Sequence, residues 1–332
     1  MSVRPTSQTL LRVILLFLDL ALIELARADV SGSSKGDFRY ESIFTGGKQR
    51  TYLVFVPSRL PNPAPLVFIF HGAQLPERGI DSILEISHFD RIAEEHQFLA
   101  VFPEAYKGIW NDGRVDHHAK SYSEEVDDIG FVRAMLDKTE HQFRVDPGRV
   151  YATGFSSGGI FCHYLAGQRS EMLAAIATVS GPMATPNKVW FHPESPLSVL
   201  DIHGTKDPFL PYKGGNIIAD GGQVLSAEAT AELWAQTDKC RPRYIQLPFP
   251  AKLTSHRCYP QSFEWTKGKD NTTVVLYRIV GGGHTWPGSP PGFPANLFVG
   301  PVCRDFDASE LIWKFFERHP KRALPRPDLR NP

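Results

Sequence analysis

Residues 154–159 read GFSSGG, and this stretch decides the fold. It follows an apolar run at 150–153, which predicts a buried strand, and it opens a helical pattern at 158–168. A serine at a sharp strand-to-helix turn has an exposed hydroxyl, and glycines flank it because side chains there would collide with the two elements. The pattern predicts Ser156 as a nucleophile. The alternative is a glycine-rich turn that merely contains serines.

Strand-like and helix-like runs alternate on both sides of this turn. Short runs that are apolar throughout predict strands buried on both faces, as in a parallel sheet covered by helices. We therefore predict an α/β fold with a mostly parallel central sheet and helices on both faces. The predicted strands are 38–44, 51–56, 66–70, 98–102, 150–153, 198–202 and 274–280, and the predicted helices are 83–96, 129–142, 158–168, 227–237 and 309–317.

The chain has 332 residues, a length that α/β folds reach without splitting into two domains. We predict one catalytic domain at 29–319, followed by a flexible tail at 320–332 that is rich in Pro and Arg. The segment 208–273 departs from the strand–helix rhythm, since it holds two glycine pairs, several prolines and two cysteines. We interpret it as an insertion on the core sheet.

Residues 1–28 have the features of a signal peptide. Arg4 and Arg12 precede an apolar stretch at 13–25, and residues 26–28 (ARA) give a small-x-small cleavage pattern. Two acidic residues interrupt the apolar stretch, so an uncleaved anchor or an amphipathic helix is the alternative. The uncharged run is too short to cross a bilayer. The prediction is a secreted or periplasmic protein with no stable membrane span.

The charge is balanced, with 36 Lys and Arg against 36 Asp and Glu. A protein that binds a nucleic-acid duplex normally carries a basic surplus. The balance argues against a nucleic-acid partner and favours a neutral or weakly charged substrate. Since no His, Asp and Cys cluster shows the spacing of metal ligands, we expect no metal and no cofactor.

A nucleophilic serine needs a base, and the base needs an acid that orients it. After an elbow of this kind the chain order is Ser, acid, His. Asp207 follows the predicted strand 198–202, and His284 follows the strand 274–280 in a glycine-rich stretch. The ends of parallel strands meet at one edge, so we predict that Ser156, Asp207 and His284 act together. A turn-forming Asp before Pro is the alternative for Asp207.

The loops around the elbow supply the other candidate site residues. Two backbone N–H groups must stabilise the oxyanion that forms when serine attacks a carbonyl, and we predict those of Ser157 and Ala73. Trp286 and Trp110 lie near these loops in the sequence. Each is a candidate substrate contact, with packing as the alternative.

The four cysteines are Cys162, Cys240, Cys258 and Cys303. In an exported chain an even number permits two disulfides, with three possible connectivities. Cys240 and Cys258 flank an irregular stretch that contains prolines, and we favour a disulfide between them. Cys162 lies on a predicted helix, where a small buried thiol is the alternative.

Six stretches make the sequence similar to the polyhydroxybutyrate depolymerase and feruloyl esterase group of exported α/β-hydrolases. They span nearly the whole mature chain in the same order. The resemblance implies the α/β-hydrolase fold, Ser156, Asp207 and His284 as a catalytic triad, and an extracellular ester substrate. It also supports the Cys240–Cys258 pairing. The stretches are 70–72 (FHG), 126–131 (VDDIGF), 154–159, 203–212 (HGTKDPFLPY), 281–288 (GGGHTWPG) and 307–316.

The predicted reaction is ester hydrolysis through an acyl-enzyme. The substrate would be a small-molecule or polymer ester, either a hydroxybutyrate or other hydroxyalkanoate oligomer or a feruloyl or acetyl ester. A serine peptidase of the same fold and a non-catalytic polymer-binding relative are the alternatives. The complete Ser, Asp and His set argues against a pure binding role.

Overall fold

The structure, a computed structural model, describes residues 35–74, 77–115, 118–185, 191–217, 221–243, 258–289 and 299–321. The predicted signal segment 1–28 and residues 322–332 of the predicted tail lie outside the described residues. Within the described ranges, no helix has both the length and the apolar character that crossing a bilayer requires.

One large sheet organises the described part of the chain. Its ten strands lie in the order β1-β2-β4-β3-β5-β6-β7-β12-β11-β10. The block from β4 to β12 is parallel, and antiparallel strands extend it at both ends. The strands are β1 Asp37–Thr45, β2 Lys48–Val56, β3 Ala64–Phe70, β4 Leu99–Pro103, β5 Val145–Phe155, β6 Ala175–Val179, β7 Ser198–Gly204, β8 Gly215–Asn216, β9 Gln223–Val224, β10 Arg241–Arg243, β11 Tyr259–Thr266 and β12 Val274–Val280, of which β8 and β9 form a separate small sheet.

Helices cover both faces of the sheet. Buried residues of α1, α2 and α7 pack in one apolar cluster, and those of α4, α5 and α6 pack in the other. The helices are α1 Gly79–Ser87, α2 Phe89–His96, α3 Lys120–Ser123, α4 Asp128–Gln142, α5 Ser157–Arg169, α6 Ala227–Thr237 and α7 Ala308–Arg318. This two-sided arrangement confirms the predicted α/β architecture.

Strand β3 shows why a continuous apolar run is required. All of its residues are buried. Phe68 and Phe70 face the cluster that holds α4, α5 and α6, whereas Val67 and Ile69 face the other cluster. Because successive side chains alternate between the faces, a strand between two helical layers must be apolar at every position.

The prediction of one continuous helix at 83–96 is wrong. The chain forms two helices, α1 and α2, because His88 adopts a left-handed conformation with φ 49°. That residue ends α1, where its N–H donates to the carbonyl of Leu84. Strand β6 is also absent from the sequence prediction, although it lies at the centre of the sheet.

The segment 208–273 is more than an insertion. It contains the small β8–β9 sheet, but it also supplies α6 and the strands β10 and β11. β11 pairs with β12, and β10 pairs with β11. The second half of the segment therefore continues the central sheet to its edge.

The sheet register overturns the predicted Cys240–Cys258 disulfide. Arg241 pairs with Thr266 at the end of β11, whereas Cys258 precedes the first residue of that strand. At about 3.3 Å per residue, β11 separates the two cysteines by roughly 25 Å. A disulfide requires Cα atoms within about 7 Å. No disulfide links the cysteines of the described ranges.

Candidate active site

The turn between β5 and α5 has the geometry of a strained nucleophile turn. Ser156 lies between them with φ 55° and ψ −122°, a conformation that a residue with a side chain rarely adopts. Its N–H donates to the carbonyl of Val179 on β6 at 2.9 Å. A Cβ on Gly158 would lie 2.4 Å from the carbonyl oxygen of Phe70, so the turn has no room for a side chain there. The backbone of two strands thus holds the serine.

The loop after β3 lies against this turn. A Cβ on Gly72 would lie 3.1 Å from the Cβ of Ser156. Ala73, the predicted oxyanion donor, follows Gly72 directly, and Ser157, the other predicted donor, is the first residue of α5. The two residues flank the serine from different elements. Their role as donors stays a prediction.

His71 orients the backbone of this loop. Its Nδ1 donates to the carbonyl of Gly72 at 2.6 Å, and its Nε2 accepts from the N–H of Ala105 at 3.0 Å. Burial lowers the pKa of His71 to about 4, against a smaller upward effect of the bond to Gly72. The imidazole is therefore neutral at pH 7. Since the C=O and N–H of a trans peptide point in opposite directions, the bond to Gly72 also sets the direction of the Ala73 N–H.

Asp207 and His284 meet at the rim of the sheet. The Nδ1 of His284 donates to Oδ2 of Asp207 at 2.8 Å, across 77 residues of sequence. The two residues follow β7 and β12, which are parallel neighbours, so both loops leave the sheet at the same edge. The loops are also tied together, since the N–H of Lys206 donates to the carbonyl of Gly282 at 2.8 Å.

The carboxylate of Asp207 is held on both oxygens. Its Oδ1 accepts from the N–H groups of Phe209 and Leu210, each at 2.9 Å, and its Oδ2 lies 3.3 Å from Nε2 of His203. Burial alone raises the pKa of Asp207, but the charge of His284 and the hydrogen bonds from His203 and His284 outweigh it and bring that pKa well below its ordinary value. Asp207 is therefore ionised at neutral pH.

The imidazole of His284 lies beside the serine turn. Its ring centroid is 4.8 Å from that of Phe155, the residue before Ser156, and 5.3 Å from that of Phe209. Neither phenylalanine was predicted from the sequence to contact the histidine. Their positions next to the predicted serine and two residues after the predicted aspartate were the available signal. The structure thus places His284 and Asp207 next to the turn that carries Ser156.

The two predicted substrate contacts are packing residues instead. Trp110 is fully buried, packs on Phe70 and Phe161, and donates its Nε1–H to the carbonyl of His71 at 2.9 Å. Trp286 is 2% exposed and donates to the hydroxyl of Ser309 at 3.0 Å. The positions of Trp110 and Trp286 near the site in the sequence suggested contact with a ligand, but in the structure both indoles are packed inside the protein.

A second histidine–aspartate pair is buried away from the rim. Nε2 of His163, on α5, lies 3.3 Å from Oδ1 of Asp201 on β7. The indole N–H of Trp234, on α6, donates to Nδ1 of His163 at 3.0 Å, and Thr178 donates to Oδ1 of Asp201 at 2.7 Å. This network joins β6, β7 and two helices inside the core.

One group of side chains in the described ranges has metal-ligand chemistry. Atoms of Glu95, His96 and Glu310 lie within 4.8 Å of one another on α2 and α7. His96 already pairs with Glu310 at 3.0 Å, and Lys314 pairs with the other oxygen of Glu310 at 2.9 Å. Ion pairs within the protein thus account for the contacts of Glu310.

The chain is similar to known esterases. The phospholipase/carboxylesterase family model matches residues 112–226. An esterase named NocK from Nocardia uniformis subsp. tsuyamanensis is 28% identical, over 82% of this chain and 80% of its own length. Feruloyl esterase C of Emericella nidulans is 33% identical, over 57% of each chain.

A solved structure supports the fold. The acetyl xylan esterase from Aspergillus awamori superposes with a TM-score of 0.51 at 17% identity, over 80% of this chain and 99% of its own. The chain has the α/β-hydrolase fold, and the relatives that it resembles in sequence are esterases.

Proposed function

We propose that this protein is a serine carboxylic ester hydrolase in which Ser156 is the nucleophile, His284 the general base and Asp207 the acid that orients it. One observation carries the proposal: an ionised, buried aspartate binds Nδ1 of a histidine whose ring packs beside a strained serine turn. Because Asp207 can only accept, Nδ1 carries the proton and Nε2 is the basic nitrogen.

The reaction proceeds through an acyl-enzyme. Nε2 of His284 takes the hydroxyl proton while the oxygen of Ser156 attacks the ester carbonyl. The resulting oxyanion accepts hydrogen bonds from the N–H groups of Ser157 and Ala73. The protonated imidazole then gives its proton to the leaving alcohol. Water attacks the acyl-enzyme in the second half and releases the acid.

We extend the proposal to the substrate, as a feruloyl or acetyl ester. The feruloyl esterase C of Emericella nidulans and the acetyl xylan esterase of Aspergillus awamori support this class. The chain spans 57% of the length of the feruloyl esterase, so the assignment concerns the chemistry of the site. Hydroxybutyrate oligomers remain a competing substrate that the same triad could hydrolyse.

The decisive experiment is labelling with a fluorophosphonate probe followed by peptide mapping. We expect the label on Ser156 in the wild-type protein and its loss in Ser156→Ala. Ser42→Ala, on the edge strand β1, is the matched control and should label like wild type. Label on another serine, or none on a folded wild-type protein, would refute the triad.

A substrate panel then separates the ester classes. The purified protein is tested on p-nitrophenyl acetate, methyl ferulate, acetylated xylan and hydroxybutyrate oligomers. We expect a higher kcat/KM for methyl ferulate or acetylated xylan than for the oligomers. The reverse order would leave the triad in place and overturn the substrate assignment.

The proposed site of action is outside the cytoplasm. Support comes from the sequence of residues 1–28, with its basic start, apolar stretch and small-x-small pattern. N-terminal sequencing of the protein recovered from a secreting host should begin at Asp29. A mature protein that begins at Met1 or Ser2 would contradict export by cleavage.

A further inference from the structure

Two cysteines far apart in sequence meet at the start of β11. Cys258 directly precedes that strand, and Cys303 lies 45 residues later, before α7. Both are fully buried. The thiol of Cys258 donates to the carbonyl of Val302 at 3.5 Å, and the thiol of Cys303 donates to the carbonyl of Cys258 at 3.8 Å. Each sulfur therefore reaches the backbone beside the other cysteine.

The sulfurs also interact with each other. A hydrogen bond with the Cys258 side chain, together with burial, raises the pKa of the Cys303 thiol. Both side chains belong to the same apolar cluster, on the face of the sheet that carries α7.

The other two cysteines lie elsewhere in the fold. Cys240 is at the opposite end of β11, where its thiol donates to the carbonyl of Thr272 at 3.8 Å. Cys162 is on α5, in the cluster on the other face of the sheet. Of the cysteines, Cys258 and Cys303 thus form the adjacent pair.

We propose that Cys258 and Cys303 form a disulfide that fastens the start of β11 to the segment Val299–Cys303. A thiolate of the pair attacks a disulfide oxidant, such as oxidised glutathione or an oxidoreductase disulfide, and releases one thiolate of the oxidant. The second cysteine then attacks the mixed disulfide and displaces the oxidant's other thiolate, which leaves the Cys258–Cys303 bond. The two cysteine thiols lose two protons and two electrons, and the oxidant is reduced to two thiols. A compartment outside the cytoplasm permits this reaction.

The fastened segment supports the loop of His284. The N–H of His284 donates to the carbonyl of Val299 at 2.6 Å, and that of Gly283 donates to Pro301 at 2.9 Å. The N–H of Gly288 donates to the carbonyl of Cys303 itself at 2.9 Å. A bond at Cys303 therefore restrains the backbone beside His284. The disulfide does not depend on the proposed reaction, but its effect on turnover does.

The test is non-reducing peptide mapping of the full chain after exposure to oxidised glutathione. Free thiols are blocked with N-ethylmaleimide in acidic denaturant before digestion. We expect one linked peptide pair that contains Cys258 and Cys303, two hydrogens lighter than the separate peptides, with Cys162 and Cys240 carrying the label. A Cys240–Cys258 peptide, or four labelled thiols, would overturn the proposal.

Thermal unfolding tests the restraint without any assay of activity. Dithiothreitol should lower the Tm of the wild-type protein by roughly 5 °C. The Cys258→Ser/Cys303→Ser variant should have the Tm of the reduced wild type, both with and without dithiothreitol. The Tm of Cys240→Ser should fall on reduction as it does in the wild type. A linked peptide with no change in Tm on reduction would refute the restraint. Turnover that falls on reduction at a temperature where the protein stays folded would extend the effect to His284.

Discussion

Asp201 and Asp207 each contact a histidine, and the contact between Asp207 and His284 has the geometry of a catalyst. Asp207 binds His284 at the rim of the sheet, with an Nδ1–Oδ2 distance of 2.8 Å. Asp201, on β7 itself, pairs with His163 inside the core, with an Nε2–Oδ1 distance of 3.3 Å. Both carboxylates are buried. Proximity of a histidine to a buried carboxylate therefore does not distinguish a catalytic pair from a structural one.

The other ring nitrogen makes the difference. Nδ1 of His163 accepts the indole N–H of Trp234, so both nitrogens of that imidazole are engaged within the core. In His284 the aspartate occupies Nδ1, and the ring lies beside the residue that precedes Ser156. A general base needs one nitrogen that can accept a proton from the nucleophile.

Removal of the base at the rim should abolish the reaction. We expect His284→Ala to lower kcat for p-nitrophenyl acetate by on the order of 10⁴-fold or more, because the serine then has no proton acceptor. The variant should stay folded, since the N–H of residue 284 still donates to the carbonyl of Val299. The control is His163→Gln, which should lower Tm with kcat retained. Equal losses of kcat in both variants would contradict the distinction.

The two aspartates offer a matched substitution. Asp207→Asn should lower kcat by about 10⁴-fold, because the amide no longer holds His284 in the tautomer with a basic Nε2. Asp201→Asn should leave kcat within a few-fold of wild type and reduce the free energy of unfolding by about 1–3 kcal/mol, since a neutral amide replaces the charged acceptor beside Thr178 and His163. Steady-state kinetics and urea unfolding of both variants measure these effects. If Asp201→Asn is the more damaging to kcat, the assignment of the two pairs is wrong.

The orientation of the Ala73 N–H can be tested through His71. We expect His71→Ala to lower kcat by about 10²-fold with a smaller change in KM, because the oxyanion forms only after attack. His71→Asn places an amide donor near the carbonyl of Gly72 and should recover part of the loss. An effect confined to KM would argue that His71 contributes to substrate binding instead.

His71 also predicts a dependence of stability on pH. Its pKa is about 4 in the folded protein, against 6.5 for an ordinary histidine. Between these values the unfolded chain binds the proton and the folded chain does not, so stability falls as the pH is lowered from 6.5 to 4. The loss from this residue should reach about 3 kcal/mol below pH 4, and it vanishes above pH 6.5.

The comparison that isolates this contribution is the pH profile of unfolding. The difference in unfolding free energy between wild type and His71→Asn should shrink as the pH falls from 7 to 4, because the variant has no proton to bind at this position. A difference that is constant with pH would show that His71 is not buried as a neutral imidazole.

The smallest expected effect is at Trp234. Trp234→Phe keeps the aromatic packing and removes the indole N–H that engages Nδ1 of His163. We expect a loss of about 1 kcal/mol in the free energy of unfolding, with kcat unchanged. Urea titration followed by circular dichroism measures it. A fall in kcat would mean that the core network contributes to the reaction.

The sequence predicted the elements that follow a single strong rule. The strand at 66–70 and the helix at 227–237 lie within or match β3 and α6, because buried strands are apolar throughout and helices repeat their apolar face. β6 was not predicted because its sequence, Ala175–Val179, is short and rich in alanine. β11 was not predicted because a half-buried strand near the sheet edge can carry polar and proline residues.

The predicted site depended on a different kind of information. The chain order of serine, acid and histidine, combined with the shared edge of parallel strands, brought Asp207 and His284 together without any knowledge of distances. Burial and register were not accessible in the same way. Trp110 and Trp286 were expected at the substrate, and Cys240 was expected to pair with Cys258, because nearness in sequence was the available guide. These three predictions failed because burial of a side chain and pairing of distant cysteines depend on the tertiary structure.

The hydrogen bond from the Ser156 N–H to the carbonyl of Val179 links the loss of activity in denaturant to the unfolding of the sheet. The proposed nucleophile is held by a central strand of the sheet, and not by a surface loop that could unfold separately. Hydrolysis and the fluorescence of the buried indoles should therefore disappear over the same range of urea concentration.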